Sequence, residues 1–128
     1  MNCFMIDDDI DDRDFFAMAV LGLNEEVELH IATDCTEAMH ILKSDDIVIP
    51  DCIFLDLNMP GLNGKECLPQ IKKIPRLAGV PVIIYTTSSA QKDRLETLEL
   101  GASDFLTKGT SIPQLQHSLK TLFRKHGI

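Results

Sequence analysis

The sequence predicts a doubly wound, parallel α/β sheet. Strand-like and helix-like patterns alternate five times along 128 residues. The central apolar runs are short and unbroken, as strands buried on both faces require. The connections are brief, so successive parallel strands must be joined by crossover helices. Two of the runs end abruptly in carboxylate. Met5-Ile6 leads into Asp7-Asp8-Asp9, and Ile53-Phe54-Leu55 leads into Asp56, with the turn-forming Asn58-Met59-Pro60-Gly61 close behind.

Asn2 to Ile6 reads as the first strand. Phe16, Ala19, Val20 and Leu23 recur at helical spacing, and Asp9 is placed to cap that helix, with Asp11 and Asp12 in its solvated first turn. Val27 to Ala32 alternates apolar and polar residues, which suits an edge strand. Asp34-Cys35-Thr36-Glu37 resembles a capping box opening a helix to about Leu42. Cys52 to Leu55 is the central strand. A third helix follows Asn63-Gly64, with Cys67, Leu68, Ile71 and Ile74 inward; Pro69 removes a backbone bond there and predicts a late start or a kink. Val80 to Tyr85 forms the fourth strand. Residues from Ser88 to Gln91 can cap the fourth helix, which Gly101 stops. Ser103 to Thr107 is a short fifth strand. The last helix starts near Thr110 or Ser111, turns Ile112, Leu115, Leu119 and Leu122 inward, and ends in Arg124, Lys125 and His126, cations that suit a helix C-terminus.

Composition narrows the function. Residues 1–128 are expected to form one domain, with 45% hydrophobic and 25% charged residues. Twelve basic against 20 acidic side chains give a net charge of −8, which argues against a nucleic-acid or anionic-membrane surface. No basic block, helix-turn-helix appendage or second domain is expected after the last helix. The four cysteines, Cys3, Cys35, Cys52 and Cys67, include no C-x-x-C pair, so neither zinc nor a disulfide framework is expected, and four reduced thiols point to the cytoplasm. His30, His40, His117 and His126 show no metal-ligand spacing. The N-terminus is too short in apolar residues for a signal peptide, and no run reaches membrane-spanning length.

In an open α/β sheet, ligands bind beyond the carboxyl ends of the strands, where the strand order reverses. Acids gathered there repel one another unless a hard divalent cation sits among them, and carboxylate oxygens suit Mg²⁺. The chemistry this suggests is phosphoryl transfer onto a carboxylate. The first strand–helix turn carries acids where a dinucleotide loop would carry glycines, which weakens a nucleotide-binding reading.

Five positions in order, each at the end of its own strand, now resemble the receiver domain of two-component response regulators: Asp7-Asp8, Asp56 within Leu55-Asp56-Leu57-Asn58-Met59-Pro60-Gly61, Thr86, Phe105 and Lys108. The resemblance covers the whole chain. It implies a flavodoxin-like (βα)5 fold with strand order 2-1-3-4-5. It makes Asp56 the phosphoacceptor, attacking the phosphorus of a phosphohistidine on a sensor histidine kinase or histidine phosphotransfer domain. It places Mg²⁺ (or Mn²⁺) on Asp7, Asp8, Asp56 and the Asn58 carbonyl, with Lys108, the Thr86 hydroxyl and the main-chain amides of Asn58 and Thr87 around the phosphoryl group. Thr86 and Phe105 would form a switch that alters the face built from the fourth helix, fifth strand and fifth helix, through which a homodimer could also form. Asn58 and Ser88 occupy positions that influence acyl-phosphate lifetime in the family. One departure stands out: the family usually has a cis proline after the lysine. Here it is Gly109, for which a trans bond is expected; Phe105, where tyrosine is common, leaves a switch to packing alone.

The sequence leaves two other functions open. A small Mg²⁺-dependent phosphatase using an aspartyl phosphate would want a general acid two residues after its nucleophile, a position held here by Asn58, and an insert to cap the substrate. A degenerate receiver used for unphosphorylated docking would not need the complete acid set.

Overall fold

The computed structural model describes residues 1–23, 26–109 and 111–128. In chain order the elements are β1 (Asn2–Ile6), α1 (Ile10–Leu21), β2 (Glu28–Ala32), α2 (Cys35–Leu42), β3 (Cys52–Leu55), α3 (Gly64–Lys72), a 3-10 turn (Pro75–Leu77), β4 (Val82–Thr86), α4 (Gln91–Glu99), β5 (Asp104–Thr107) and α5 (Ile112–Lys125). The strands form one parallel sheet in the order β2-β1-β3-β4-β5. The flavodoxin-like expectation therefore holds, with β2 at an edge. Among the described residues no helix is long and apolar enough to cross a membrane.

The sheet separates two cores because successive side chains on a strand point to opposite faces. Phe4, Ile6, Ile53, Leu55, Val82 and Ile84 face the apolar stripes of α2 and α3. Cys3, Met5, Cys52, Phe54, Ile83 and Tyr85 face α1 and α5. All four β3 residues are fully buried, which is why that run carries no polar residue. On the second face Phe16 stands between Phe54 and Tyr85, with ring centroids 4.9 and 5.3 Å away, so α1 is seated on the middle of the sheet.

Several local expectations need correction. Pro69 does not delay α3, which begins at Gly64 because Asn63 and Glu66 form a reciprocal capping box. At the start of α2 only half such a box forms: Asp34 accepts from the Glu37 N–H, while the Glu37 carboxylate takes the Thr33 hydroxyl. The cap of α4 is Ala90, with no side-chain bond; Ser88 instead accepts the Ala90 N–H and donates to Asp93. β4 starts at Val82 because Pro81 has no N–H to give, though its carbonyl still accepts from Ile53. Thr110, one expected start for α5, lies outside the described residues; Ser111 caps the helix by accepting the Gln114 N–H.

The cysteines are the largest correction. Cys35 and Cys67 form a disulfide, with Cα atoms 5.8 Å apart. They lie far apart in sequence, but α2 and α3 pack side by side and both residues sit near helix starts, so spacing along the chain could not reveal the pair. Cys3 and Cys52 remain free and buried on adjacent strands.

At the opposite end of the sheet from the acids, Asp104 opens β5. Its carboxylate receives the Lys125 ammonium at 2.9 Å, His126 Nε2 at 3.0 Å and the Phe105 N–H at 2.9 Å. Burial alone would push this carboxyl up; those partners outweigh it and hold it below the ordinary carboxylate range. A depressed acid stabilises the fold above its unfolded value, and the benefit is lost as pH falls through the folded one. Asp104→Asn should therefore cost about 1–2 kcal/mol at pH 7. In urea titrations that gap should close as the pH drops below about 4.

Candidate functional site

The site sits where the strand order reverses. β1 is flanked by β2 and β3, so the loops leaving β1 and β3 depart to opposite faces and leave a crevice between them. Asp7 follows β1 directly and is fully buried, its N–H bonded to the Ala32 carbonyl and its own carbonyl receiving Arg13 Nη1 at 3.1 Å. Asp56 follows β3, 5% exposed, with its N–H on the Ile6 carbonyl. The turn beyond it closes tightly: the Gly64 N–H reaches the Leu57 carbonyl, and a Cβ at Gly64 would meet the Asp56 carbonyl oxygen at 2.4 Å. Only glycine fits this close approach between the α3 N-terminus and the Asp56 backbone. Gly61 turns with a positive φ of 73° in the same loop.

One oxygen from each of Asp7, Asp8 and Asp56 lies within 4.8 Å of the others, with Asp8 exposed at the mouth. Lys108 enters from the end of β5. Its side chain is 6% exposed, and its Nζ lies 2.8 Å from Asp7 Oδ2, 2.8 Å from Asp12 Oδ2 and 3.5 Å from Asp56 Oδ2. The ammonium also stands over the Tyr85 ring, 5.3 Å from its centroid. Burial pushes the Asp56 carboxyl up to about 6; Lys108 pulls it down, Asp7 adds to the rise, and the Asn58 N–H, 3.4 Å away, opposes it. For Lys108 burial works against the charged form, but Asp12, Asp7 and Asp56 outweigh it and raise its value, keeping the ammonium charged.

Four sequence-predicted residues are thus brought together: Asp7, Asp8, Asp56 and Lys108. The others surround them. Asn58 and Thr87 are exposed on the loops after β3 and β4. Thr86 ends β4 fully buried, paired in register with Thr107; its carbonyl accepts the Lys108 N–H, and its hydroxyl the Ser88 N–H at 3.5 Å. The Phe105 ring is already inward at 8% exposure, beneath the Arg94 guanidinium at 5.9 Å. No cis peptide bond occurs among the described residues, and Lys108-Gly109 is trans as expected.

Asp12 is the residue sequence reasoning missed. It was expected on a solvated first turn, yet it bonds Lys108. The available signal was its position, third in the helix behind the Asp9 cap and hence on the turn facing the strand ends. A second omission is Lys65 on α3, which binds Asp93 at 2.6 Å and Glu96 at 2.7 Å and ties α4 to α3 beside the site.

Comparison with known proteins agrees with this geometry. A family model for the response regulator receiver domain matches residues 3–120. The transcriptional regulatory protein PrrA of Mycobacterium tuberculosis is 35% identical over 118 residues, covering 91% of this chain and 48% of PrrA. The chain spans about half or less of the length of the curated relatives it matches. Among solved structures, the phosphorylated cyanobacterial phytochrome response regulator RcpA superposes with a TM-score of 0.84 at 28% identity, covering 95% of this chain and 90% of RcpA. The Mn²⁺-bound form of response regulator Rcp1 gives 0.81 at 28% identity, covering 95% and 91%. Family, sheet order and acid cluster agree, and this chain belongs to the response regulator receiver domain family.

Proposed function

We propose that residues 1–128 act as one phosphoacceptor module of a two-component or phosphorelay pathway, with Asp56 as the acceptor. The observation that carries this reading is the meeting of the Asp7, Asp8 and Asp56 oxygens beside one buried ammonium. An Asp56 oxygen attacks the phosphorus of a phosphohistidine; the P–N bond breaks and its electron pair leaves with the imidazole of the donor, a sensor histidine kinase or histidine phosphotransfer domain.

The donor set fits a hard divalent cation: it is all oxygen, and three carboxylates converge there, those of Asp7 and Asp56 buried. Asp7, Asp8, Asp56 and the Asn58 carbonyl would hold Mg²⁺ or Mn²⁺, which supplies neutralisation of phosphoryl charge when bound. Lys108 neutralises from the other side, and the Thr86 hydroxyl and the Asn58 and Thr87 amides would receive phosphoryl oxygens. The module catalyses its own phosphorylation and hydrolysis and turns over no separate substrate. Asn58, whose side-chain amide has no proton to release near neutral pH, gives the competing phosphatase reading no general acid.

Signalling would leave through protein contacts with neither nucleic acid nor membrane. In the reading, Thr86 and Phe105 are the switch, starting from a buried ring. The face of α4, β5 and α5 suits the output, and a homodimer through it, because α4 buries only Thr97 while Leu95 and Leu98 stay exposed. A cytoplasmic location would rest on the family alone, since with Cys35 and Cys67 bonded the chain no longer carries four reduced thiols.

Acetyl phosphate with Mg²⁺ should add one phosphoryl group to wild type and none to Asp56→Asn, read by intact mass; equal labelling of both would remove Asp56 from its role. Millimolar Mg²⁺ should raise the melting temperature of wild type, since the cation binds the native acid cluster and not the unfolded chain. In metal-free protein Asp56→Asn should itself be stabilising at pH 7. The folded Asp56 carboxyl releases its proton near pH 6 and the unfolded one near pH 4, so stability falls as pH rises across that window. Removing the carboxylate should return about 2–3 kcal/mol, measured by urea unfolding.

A further inference from the structure

The backbone places the Lys108 Cα at the end of β5 but does not by itself place its ammonium. Its N–H is held by the Thr86 carbonyl, but the next residue, Gly109, has no side chain to restrict φ, and a Cβ built there would meet only Gln114 Oε1 at 3.7 Å. A four-carbon stem leaving such a loop does not by itself put an ammonium at one point. Two carboxylates do: Asp7 and Asp12, each 2.8 Å from Nζ.

These two differ in what else they serve. Asp7 is one of the acids gathered for a cation. Asp12 lies outside that cluster and stands on a formed helix turn. An acid in the third helical position ordinarily reaches back to the N–H of the cap residue. Here that N–H, of Asp9, is already taken by Asp7 Oδ1 at 3.0 Å, and the Asp12 carboxylate turns to the crevice instead.

We infer that Asp12 is the positioning residue for Lys108, the carboxylate that keeps the ammonium beside Asp56 once Asp7 is engaged by a cation. The inference rests on the phosphoacceptor reading of Asp56 and adds a residue to it. Asp12 touches neither the phosphoryl group nor the cation; it acts through the lysine.

Tyr85, the one tyrosine of a chain with no tryptophan, reports on Lys108 because the ammonium lies over its ring. Wild type, Asp12→Asn, Asp12→Glu and Asp11→Asn are compared in two measurements. Near-ultraviolet circular dichroism of the metal-free proteins should change in Asp12→Asn, recover toward wild type in Asp12→Glu, and stay unchanged in Asp11→Asn. With saturating acetyl phosphate, the maximal labelling rate of Asp12→Asn should fall about tenfold while its half-saturating Mg²⁺ stays within about twofold. An Asp12→Asn protein with the wild-type Tyr85 signal and labelling rate would overturn the inference. So would a rate loss matched by an equal loss of Mg²⁺ affinity, the mark of a general structural role. Wild type that takes no label would remove the phosphoacceptor reading itself, and the metal-free Tyr85 signal would still decide whether Asp12 holds the lysine.

Discussion

Negative charge that has been taken out of water needs a positive partner nearby, and this requirement organises the crevice. Asp7 and Asp56 are almost wholly buried and neighbours in space, an arrangement that raises the Asp56 carboxyl well above its ordinary value. The Lys108 ammonium, itself buried, is the cation the chain supplies. It leaves the cluster short of positive charge, with Asp8 exposed at the open side. A divalent cation and a phosphoryl group are the partners such a deficit and such a lysine suit. The same residues that make the pocket costly to fold thus make it chemically useful.

The sheet makes this arrangement robust. Reversal of strand order between β1 and β3 delivers Asp7 and Asp56 to adjacent strand ends, and parallel register with β4 and β5 brings Thr86 and Lys108 to the same edge. The two apolar cores fix those ends from both faces. α4 is held differently. It buries one residue, Thr97, and is tied by Lys65 to Asp93 and Glu96, with Ser88 bonded to Asp93. Partly exposed ion pairs of this kind contribute little net stability. α4 is therefore held to the rest of the fold less firmly than helices that bury a full apolar stripe.

Much of this was legible in the residues. Apolar runs ending in aspartate marked β1 and β3, the latter as the central strand, and the alternation from Val27 to Ala32 marked an edge, where β2 lies. Caps at Asp9 and Asp34 were visible because short polar side chains at helix starts have a local cause. What stayed hidden depended on three-dimensional neighbours. Cys35 and Cys67 pair only because α2 and α3 pack together. Asp12 looked like solvated first-turn charge because Lys108, its partner, lies 96 positions away in the chain. Pro69 looked disruptive, yet the capping box at Asn63 sets the start of α3 regardless.

Acids from two strand ends meet at one place that suits a divalent cation. Titrating Mn²⁺ while following the free-ion signal by electron paramagnetic resonance tests it without any phosphoryl chemistry. One Mn²⁺ should bind per wild-type chain and be displaced by Mg²⁺, with binding weakened at least about tenfold in Asp8→Ala, since one of few charged ligands is gone. Wild-type binding by Asp8→Ala, or no saturable binding at all, would contradict it.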